Sequence, residues 1–323
     1  MDARGVGRIL PRALLALCAS AFILACGCGS SGGSGGQAAA DESASKPAAS
    51  SDAAGSSGAT GAPYTQPDSI AVPQTSGGGI DTSGVNDGWV AASANSSSRL
   101  KFQVIHGEET YNYDLPNDGT PTIFPINMGN GGYQFRVMQN TKGNSYVEID
   151  SATADASLSS EFAPFLIPNQ ICSYDAGSDC VSTAREITAS ATNEGEVVAV
   201  ICTYVADNVD YDFGKADELS KSTGYIPDPD DTLATGEGIC FDYASLSAAM
   251  LRSMGLPAKV MTGYVGDDQL YHSWIMVYAD GTWQTASFSV SPKEWSRCDV
   301  TFASVGETSL TGSGDGYIDR YTY

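Results

Sequence analysis

Basic residues are scarce in this chain of 323 residues, which holds 16 Lys and Arg against 38 Asp and Glu, for a formal net charge of -22. Beyond the N-terminal leader, Lys and Arg form no cluster. Nucleic-acid binding depends on such clusters, because they neutralise phosphates and release counterions. We therefore expect no nucleic-acid partner, and the acidity also disfavours adhesion to anionic lipid or wall polymers.

Long apolar runs are also rare, and the clearest one extends from Ala13 to Ala25. Arginines precede it and Cys26 follows, which is the layout of a secretory signal, and the run is too short to span a bilayer well. The segment Ile23–Cys26 resembles a bacterial lipobox, whose cysteine is lipidated and becomes the new N-terminus. Residues 1–26 are therefore predicted to be a signal that leaves Cys26 lipid-anchored at the extracellular face of the cytoplasmic membrane. Cys28 is a second candidate for the lipid, and an ordinary cleaved signal peptide is the alternative.

The next part of the chain, residues 27–87, is dominated by Gly, Ser and Ala. Such a composition cannot bury enough apolar surface to fold, so it predicts a flexible tether. From Trp89 onward, runs such as 100–104 and 133–137 alternate apolar with polar residues, which is typical of half-buried strands. Turn signals rich in Asn and Gly separate them, so residues 88–165 are predicted to form a small all-β sandwich.

Five of the eight cysteines lie in the part of the chain expected to fold. An odd number in an exported protein leaves at least one thiol free or paired between molecules. Cys172 and Cys180 flank a short polar loop, so a local disulfide is plausible between them. Cys202 lies beside the apolar stripe of a predicted helix at 194–208, where it is interpreted as a small buried hydrophobe.

Cys240 differs from the other cysteines because of its position. Glycines at 236 and 238 precede it, an apolar helical stripe follows, and Gly-Leu-Pro at 255–257 ends that stripe. Cys240 is therefore predicted to lie in the first turn of a buried helix. Unpaired amides and the helix dipole stabilise a thiolate there, and the thiolate is the nucleophilic form of cysteine.

His272 is the predicted partner of this cysteine, because the chain has two histidines and only His272 lies in the C-terminal half. Its surroundings, residues 271–278, predict a buried strand. A catalytic imidazole needs an acceptor that fixes its orientation. Two downstream strands are predicted; the first offers Ser287, and the second, residues 295–302, offers Asp299, which we prefer.

Three motifs together are similar to the transglutaminase-like superfamily over about residues 196–303. They are Gly-x-Cys-x-Asp-Tyr-Ala-x-Leu at 238–246, His-x-Trp at 272–274 and Trp-x-x-x-Asp-x-Thr at 295–301. The resemblance implies an α+β, papain-like core over residues 166–323, with the cysteine helix packed on an antiparallel sheet. It also implies that Cys240 is the nucleophile, His272 the acid and base, and Asp299 the orienting group. Residues 284–294 are then interpreted as an inserted hairpin.

The resulting hypothesis is a cell-surface cysteine enzyme, hydrolase or acyltransferase, that attacks amides of envelope proteins or peptides through a thioester. No cofactor or metal is expected, because the acidic run 228–231 lacks the ligand spacing of a calcium loop. Tyr264 and Trp274 are candidates for lining a substrate cleft. The alternative is a catalytically inactive binding module on the same scaffold.

Overall fold

The computed structural model describes residues 62–75, 77–280, 283–284, 289–306 and 316–323. Three residues singled out in the sequence, Cys26, Cys28 and Ser287, lie outside these ranges. Within them, no helix has the length and apolar character needed to cross a membrane.

As far as the structure describes it, the N-terminal unit consists of two small antiparallel sheets, ordered β1-β2-β5 and β4-β3-β6-β7. Its strands are β1 (Gly79–Asp81), β2 (Trp89–Ser93), β3 (Leu100–His106), β4 (Glu109–Leu115), β5 (Thr122–Pro125), β6 (Gly131–Lys142) and β7 (Ser145–Ala156). In β3 the alternate residues Leu100, Phe102 and Val104 are buried, as the period of two predicts. Phe102 stacks on Phe124 of the other sheet with ring centroids 4.6 Å apart, so the sheets share one core.

Ordered structure begins earlier than the predicted tether boundary at residue 87. Strand β1 lies inside the predicted tether and pairs with β2, which follows it. Farther upstream, the Tyr64 hydroxyl donates to the carbonyl of Met254, 2.9 Å away, and its amide donates to the carbonyl of Thr192. The boundary is corrected accordingly, because a few large side chains dock this stretch onto the folded part although its average composition is that of a linker.

In the described residues of the C-terminal unit, six helices pack around a four-stranded antiparallel sheet ordered β14-β11-β10-β15. The helices are α1 (Asp179–Ile187), α2 (Glu194–Asn208), α3 (Phe213–Leu219), α4 (Pro229–Thr235), α5 (Cys240–Ser253) and α6 (Val300–Ser304). The strands are β8 (Asp210–Tyr211), β9 (Glu237–Gly238), β10 (Ala258–Val265), β11 (Leu270–Tyr278), β12 (Trp283–Gln284), β13 (Ser289–Val290), β14 (Trp295–Cys298) and β15 (Tyr317–Thr322). Strands β12 and β13 pair antiparallel within the region expected to hold an inserted hairpin. The predicted α+β class, a helix-on-sheet core preceded by a β domain, is confirmed.

Helix α5 is the central element, and all of its residues from Cys240 to Ser253 are buried. Small side chains along it allow this depth, since they let neighbouring elements approach closely. The helix ends before Gly255, whose φ of +80° is the left-handed conformation that favours glycine at a helix end. Near that end the buried Arg252 donates to three carbonyls, those of Ile167, Ala258 and Tyr323. The C-terminal end of α5 is thereby bound to the start of β10 and to two segments that are distant in the chain.

Strand β15 joins the two units. Its Tyr321 and Tyr323 pack edge-on against Tyr111 of β4, with centroids 5.3 and 5.8 Å away. The amide of Thr322 also donates to the Tyr111 hydroxyl at 3.1 Å. One edge of the C-terminal sheet therefore rests on the β domain.

Candidate active site

Cys240 is the first residue of α5 and is 9% exposed. Strand β9 passes close to the start of the helix, so that a Cβ at Gly238 would lie 2.7 Å from Cβ of Asp242. Only glycine fits there. The thiol therefore sits at a helix N-terminus, where unpaired amides favour a negative charge.

Asp242 fixes the start of this helix from within the core, where its side chain is 0% exposed. One carboxylate oxygen accepts from the amide of Ile239 at 2.9 Å and pairs with Nζ of Lys215 at 2.8 Å. The other accepts from the Tyr225 hydroxyl at 2.5 Å. The Asp of the Gly-x-Cys-x-Asp motif thus connects the cysteine helix to α3 and to the loop that bears Tyr225.

His272 lies in β11 and is 2% exposed, and its Nε2 lies 2.8 Å from Oδ2 of Asp299, which is fully buried. Burial lowers the pKa of the imidazole, but the Asp299 carboxylate and then the Cys240 thiol outweigh it and raise the pKa to about 10. Because Asp299 engages Nε2, Nδ1 is the nitrogen left to face the thiol. The structure thus brings together the three residues selected from the sequence, with an imidazole that is protonated at neutral pH.

Asp299 is held differently from the prediction, which placed it on a strand covering 295–302. Strand β14 ends at Cys298, and Asp299 is the N-cap of α6, where its Oδ1 accepts from the amide of Phe302 at 3.0 Å. Aspartate is a preferred N-cap, so the local preference for a helix start overrides the strand-like apolar pattern. Consequently one oxygen is fixed by the helix and the other is free to face His272.

A residue that sequence reasoning missed is Tyr317 in β15. Its hydroxyl donates to Oδ2 of Asp299 at 2.8 Å, the same oxygen that faces His272. Burial and the neighbouring carboxylate raise the pKa of Tyr317, so it remains a neutral donor. No local spacing indicates this contact, because the chain returns to the site only after the hairpin and α6.

The remaining cysteines of the described part are free thiols and buried. The predicted disulfide between Cys172 and Cys180 is therefore absent; Cys172 Sγ lies 3.8 Å from the carbonyl of Ser245, and the Cys180 amide donates to Asp230. Burial raises the pKa of both thiols. Cys202 is fully buried in the core, as predicted for a small hydrophobe, and it hydrogen-bonds with Cys298.

The predicted cleft residues do not line the cavity beside the site. Trp274 is buried, its ring 6.3 Å from that of His272, and the Tyr264 hydroxyl lies 3.1 Å from a guanidinium nitrogen of Arg320. The cavity is lined instead by other aromatic side chains, which include Tyr225, Phe241 and Tyr271.

The acidic run at 228–231 is a helix cap. Asp228 accepts from the amides of Asp230 and Asp231 at the start of α4. Among the described residues, no group of three or more His, Cys, Asp or Glu side chains is placed to hold a metal ion.

A Cys, a His and an Asp brought together in this way, with the thiol at a helix start against an antiparallel sheet, define the papain-like class of cysteine folds. Residues 181–288 match the family model of the transglutaminase-like superfamily, a range that holds Cys240 and His272. This part of the chain is a transglutaminase-like domain.

Individual similarities are distant or short. A candidate cysteine protease from Cytophaga hutchinsonii is 17% identical, over 73% of this chain and 79% of that one, with a TM-score of 0.38. Red sea bream transglutaminase is 11% identical, over 72% and 49%, with a TM-score of 0.27. An uncharacterised protein of Mycobacterium leprae is 30% identical over 79 residues, which are 21% of this chain and 28% of that protein. The match thus spans less than a third of this curated relative.

Proposed function

We propose that the domain is a cysteine enzyme that attacks an amide bond of an envelope protein or peptide and forms a thioester on Cys240. The observation that carries the proposal is the buried hydrogen bond of 2.8 Å between His272 and Asp299, beside the helix start that bears Cys240. A buried imidazole whose pKa is raised to about 10 is charged at neutral pH. An imidazolium stabilises a neighbouring thiolate, which is the reactive form.

In the first half of the reaction, the Cys240 thiolate attacks the amide carbon and the carbonyl electrons move to oxygen. The amide of Cys240, at the N-terminus of α5, can donate to that oxyanion. The His272 imidazolium then protonates the nitrogen as the C–N bond breaks. The products of this half are the free amine, the thioester and a neutral imidazole.

In the second half, water or a primary amine attacks the thioester, and neutral His272 takes its proton. The C–S bond breaks and Cys240 leaves as a thiolate, which restores the ion pair. Asp299 keeps the imidazole oriented through both steps. We favour hydrolysis, because water is always present at an exposed surface and transfer requires a second site for the amine.

The test of this proposal is to incubate the protein with envelope peptides and a labelled primary amine, with Cys240→Ala as the control. Incorporation of the labelled amine identifies a transferase, and peptide cleavage or ammonia release without amine incorporation identifies a hydrolase. Both should be absent from the control. If the wild type gives neither product, and mass spectrometry detects no thioester across a broad peptide panel, the enzyme hypothesis is refuted and the alternative, a catalytically inactive binding module, takes its place.

The cellular location is also part of the proposal. The apolar run before Cys26 and the Gly/Ser-rich segment after it support a lipid anchor and a tether. Mass spectrometry of the mature N-terminus should find a diacylglyceryl group on Cys26. An unmodified N-terminus at another position would refute the anchor.

A further inference from the structure

A cavity of about 140 Å³ lies between the β domain and the catalytic domain. Strand β4 supplies much of one wall, and Phe241, Tyr271 and Ser273 supply part of the other. Phe241 follows Cys240 in the chain, and Tyr271 and Ser273 flank His272. Cys240 and His272 are not among the described residues that line the cavity, but this wall lies near the thiol, because the pKa of Tyr271 is raised by burial and, in addition, by Cys240. The cavity has room for several waters or one side chain.

The cavity is positively charged although the protein is strongly acidic. Lys101 and Arg320 line it, together with one acidic side chain, Asp114, among the described lining residues. Asp114 is neutralised from outside the cavity by Arg99, whose Nε and NH2 lie 2.7 and 2.9 Å from its two oxygens. Two cationic groups therefore remain to face a ligand.

Arg320 is held in place by aromatic rings. Its guanidinium carbon lies 5.2 Å from the centroid of Tyr321 and 6.0 Å from that of Tyr271. In the sheet, Gly263 of β10 lies opposite His272 of β11 on one side and opposite Asp319 of β15 on the other. Arg320 is therefore one residue along β15 from the position that is in register with His272. A guanidinium already ordered by stacking loses little conformational entropy when it binds a ligand.

We propose that this cavity binds a carboxylate of the substrate beside the amide that Cys240 attacks. The inference rests on the proposed acyl-transfer role of Cys240. A guanidinium matches the two oxygens of a carboxylate, and Lys101 adds a second charge from the β domain. The carboxylate belongs either to an acidic side chain or to the C-terminus of a peptide. The β domain thus builds half of a specificity site and is more than a spacer.

The pair iodoacetate and iodoacetamide tests this site without a known substrate. Both reagents alkylate the same Cys240 thiolate, but only iodoacetate carries a carboxylate. The ratio of their rates at Cys240, followed by peptide mapping, is therefore independent of how much thiolate is present. This ratio of alkylation rates reports on the cavity even if the protein proves to have no enzymatic turnover.

We expect Lys101→Gln and Arg320→Gln each to lower the ratio of iodoacetate to iodoacetamide rates about fivefold, as expected for one nearby charge. Arg320→Lys should retain most of the wild-type ratio, which separates loss of charge from misfolding. The matched control is Lys142→Gln, an exposed lysine at the end of β6 that does not line the cavity. It should change the ratio less than twofold.

Short peptides distinguish the two sources of the carboxylate through protection of Cys240 from iodoacetamide. Acetyl-Gly-Glu-Gly-amide carries a side-chain carboxylate, acetyl-Gly-Gly-Gly carries a terminal one, and acetyl-Gly-Gln-Gly-amide carries neither. Either acidic peptide should protect more strongly than the neutral one, and Arg320→Gln should remove the difference. Equal rate ratios in all four variants, or equal protection by the three peptides, would overturn the carboxylate site. If the rate ratio depends on Arg320 but the protein forms no thioester, the carboxylate site is supported and only the proposed enzymatic activity is refuted.

Discussion

Two fully buried carboxylates, Asp299 and Asp242, have nearly the same surroundings. Each accepts from one backbone amide and one tyrosine hydroxyl and faces one nitrogen base. For Asp299 these partners are Phe302, Tyr317 and His272. For Asp242 they are Ile239, Tyr225 and Lys215.

The difference between the two carboxylates is the base. A lysine ammonium is a fixed charge near neutral pH, so Asp242 serves to hold the start of α5. An imidazole has two nitrogens, so His272 can be held by Asp299 at one of them and still pass a proton at the other, and Asp299 therefore holds a group that can act in a reaction. The comparison teaches that a buried carboxylate network does not identify a catalytic site until its base and its access to a nucleophile are known.

The largest effect that separates the two carboxylates should be on turnover. Asp299→Ala should lower kcat/KM by about 10³-fold or more, because the imidazole loses the acceptor that orients it. Steady-state kinetics on the peptide identified as substrate measure this. Ser287→Ala, the alternative orienting residue, is the matched control and should be mild. The reverse outcome would assign the orienting role to Ser287.

The second effect is the pH dependence of stability. The pKa of folded His272 is raised to about 10 from the ordinary 6.5, so its stabilisation is complete below pH 6.5 and is lost as the pH rises through 10. This amounts to on the order of 5 kcal/mol over the whole window. Urea unfolding from pH 6 to 10 should show the decline, and His272→Gln should flatten it. A slope that survives in His272→Gln would place the titrating group elsewhere.

The third effect should fall on folding. Asp242→Asn leaves the Lys215 ammonium facing a neutral amide, and should reduce the free energy of unfolding by about 2–3 kcal/mol. The loss should be smaller than for a fully buried pair, because the Lys215 side chain is 24% exposed. Asp217→Asn removes an exposed partner of Lys221 and should cost less than about 0.5 kcal/mol. Equal losses in urea unfolding would mean that the buried network does not anchor the helix.

The smallest effect concerns Tyr317, a positioning residue. Tyr317→Phe should lower kcat about tenfold with KM nearly unchanged, because Oδ2 of Asp299 loses one of its two donors. The carboxylate then holds the imidazolium more tightly, so the alkaline limb of the kcat profile should move to higher pH. Tyr174→Phe removes another buried tyrosine hydroxyl, which donates to the carbonyl of Leu166, and should leave the profile unchanged. If the alkaline limb of the kcat profile does not move in Tyr317→Phe, Tyr317 contributes packing only and does not position Asp299.

Much of the fold was predictable because its signals are local. The alternation of apolar and polar residues at 100–104 indicates a strand directly. The glycines before Cys240 indicate where its helix begins. Asp299 was selected correctly as a neighbour of His272 but placed in the wrong element. The aromatic and β-branched residues that follow it resemble a strand, whereas its own side chain starts a helix.

The rest depends on contacts between distant segments, which local patterns do not report. Tyr317 and Arg320 lie in the last strand and reach the site only because β15 pairs with β10. The Cys172–Cys180 spacing suggested a disulfide, but each cysteine has a different partner in the core. The cavity could not be predicted either, because its two walls belong to different domains.

The most direct test of the account is the alkylation of Cys240 by iodoacetamide as a function of pH. The account predicts that His272, held by Asp299, keeps Cys240 as a thiolate, so alkylation should be fast near pH 6 and confined to Cys240. His272→Ala should lower the rate at pH 6 at least about tenfold, since an unassisted thiol is almost wholly protonated there. Equal rates in the two proteins at pH 6 would contradict the ion pair and, with it, the central claim.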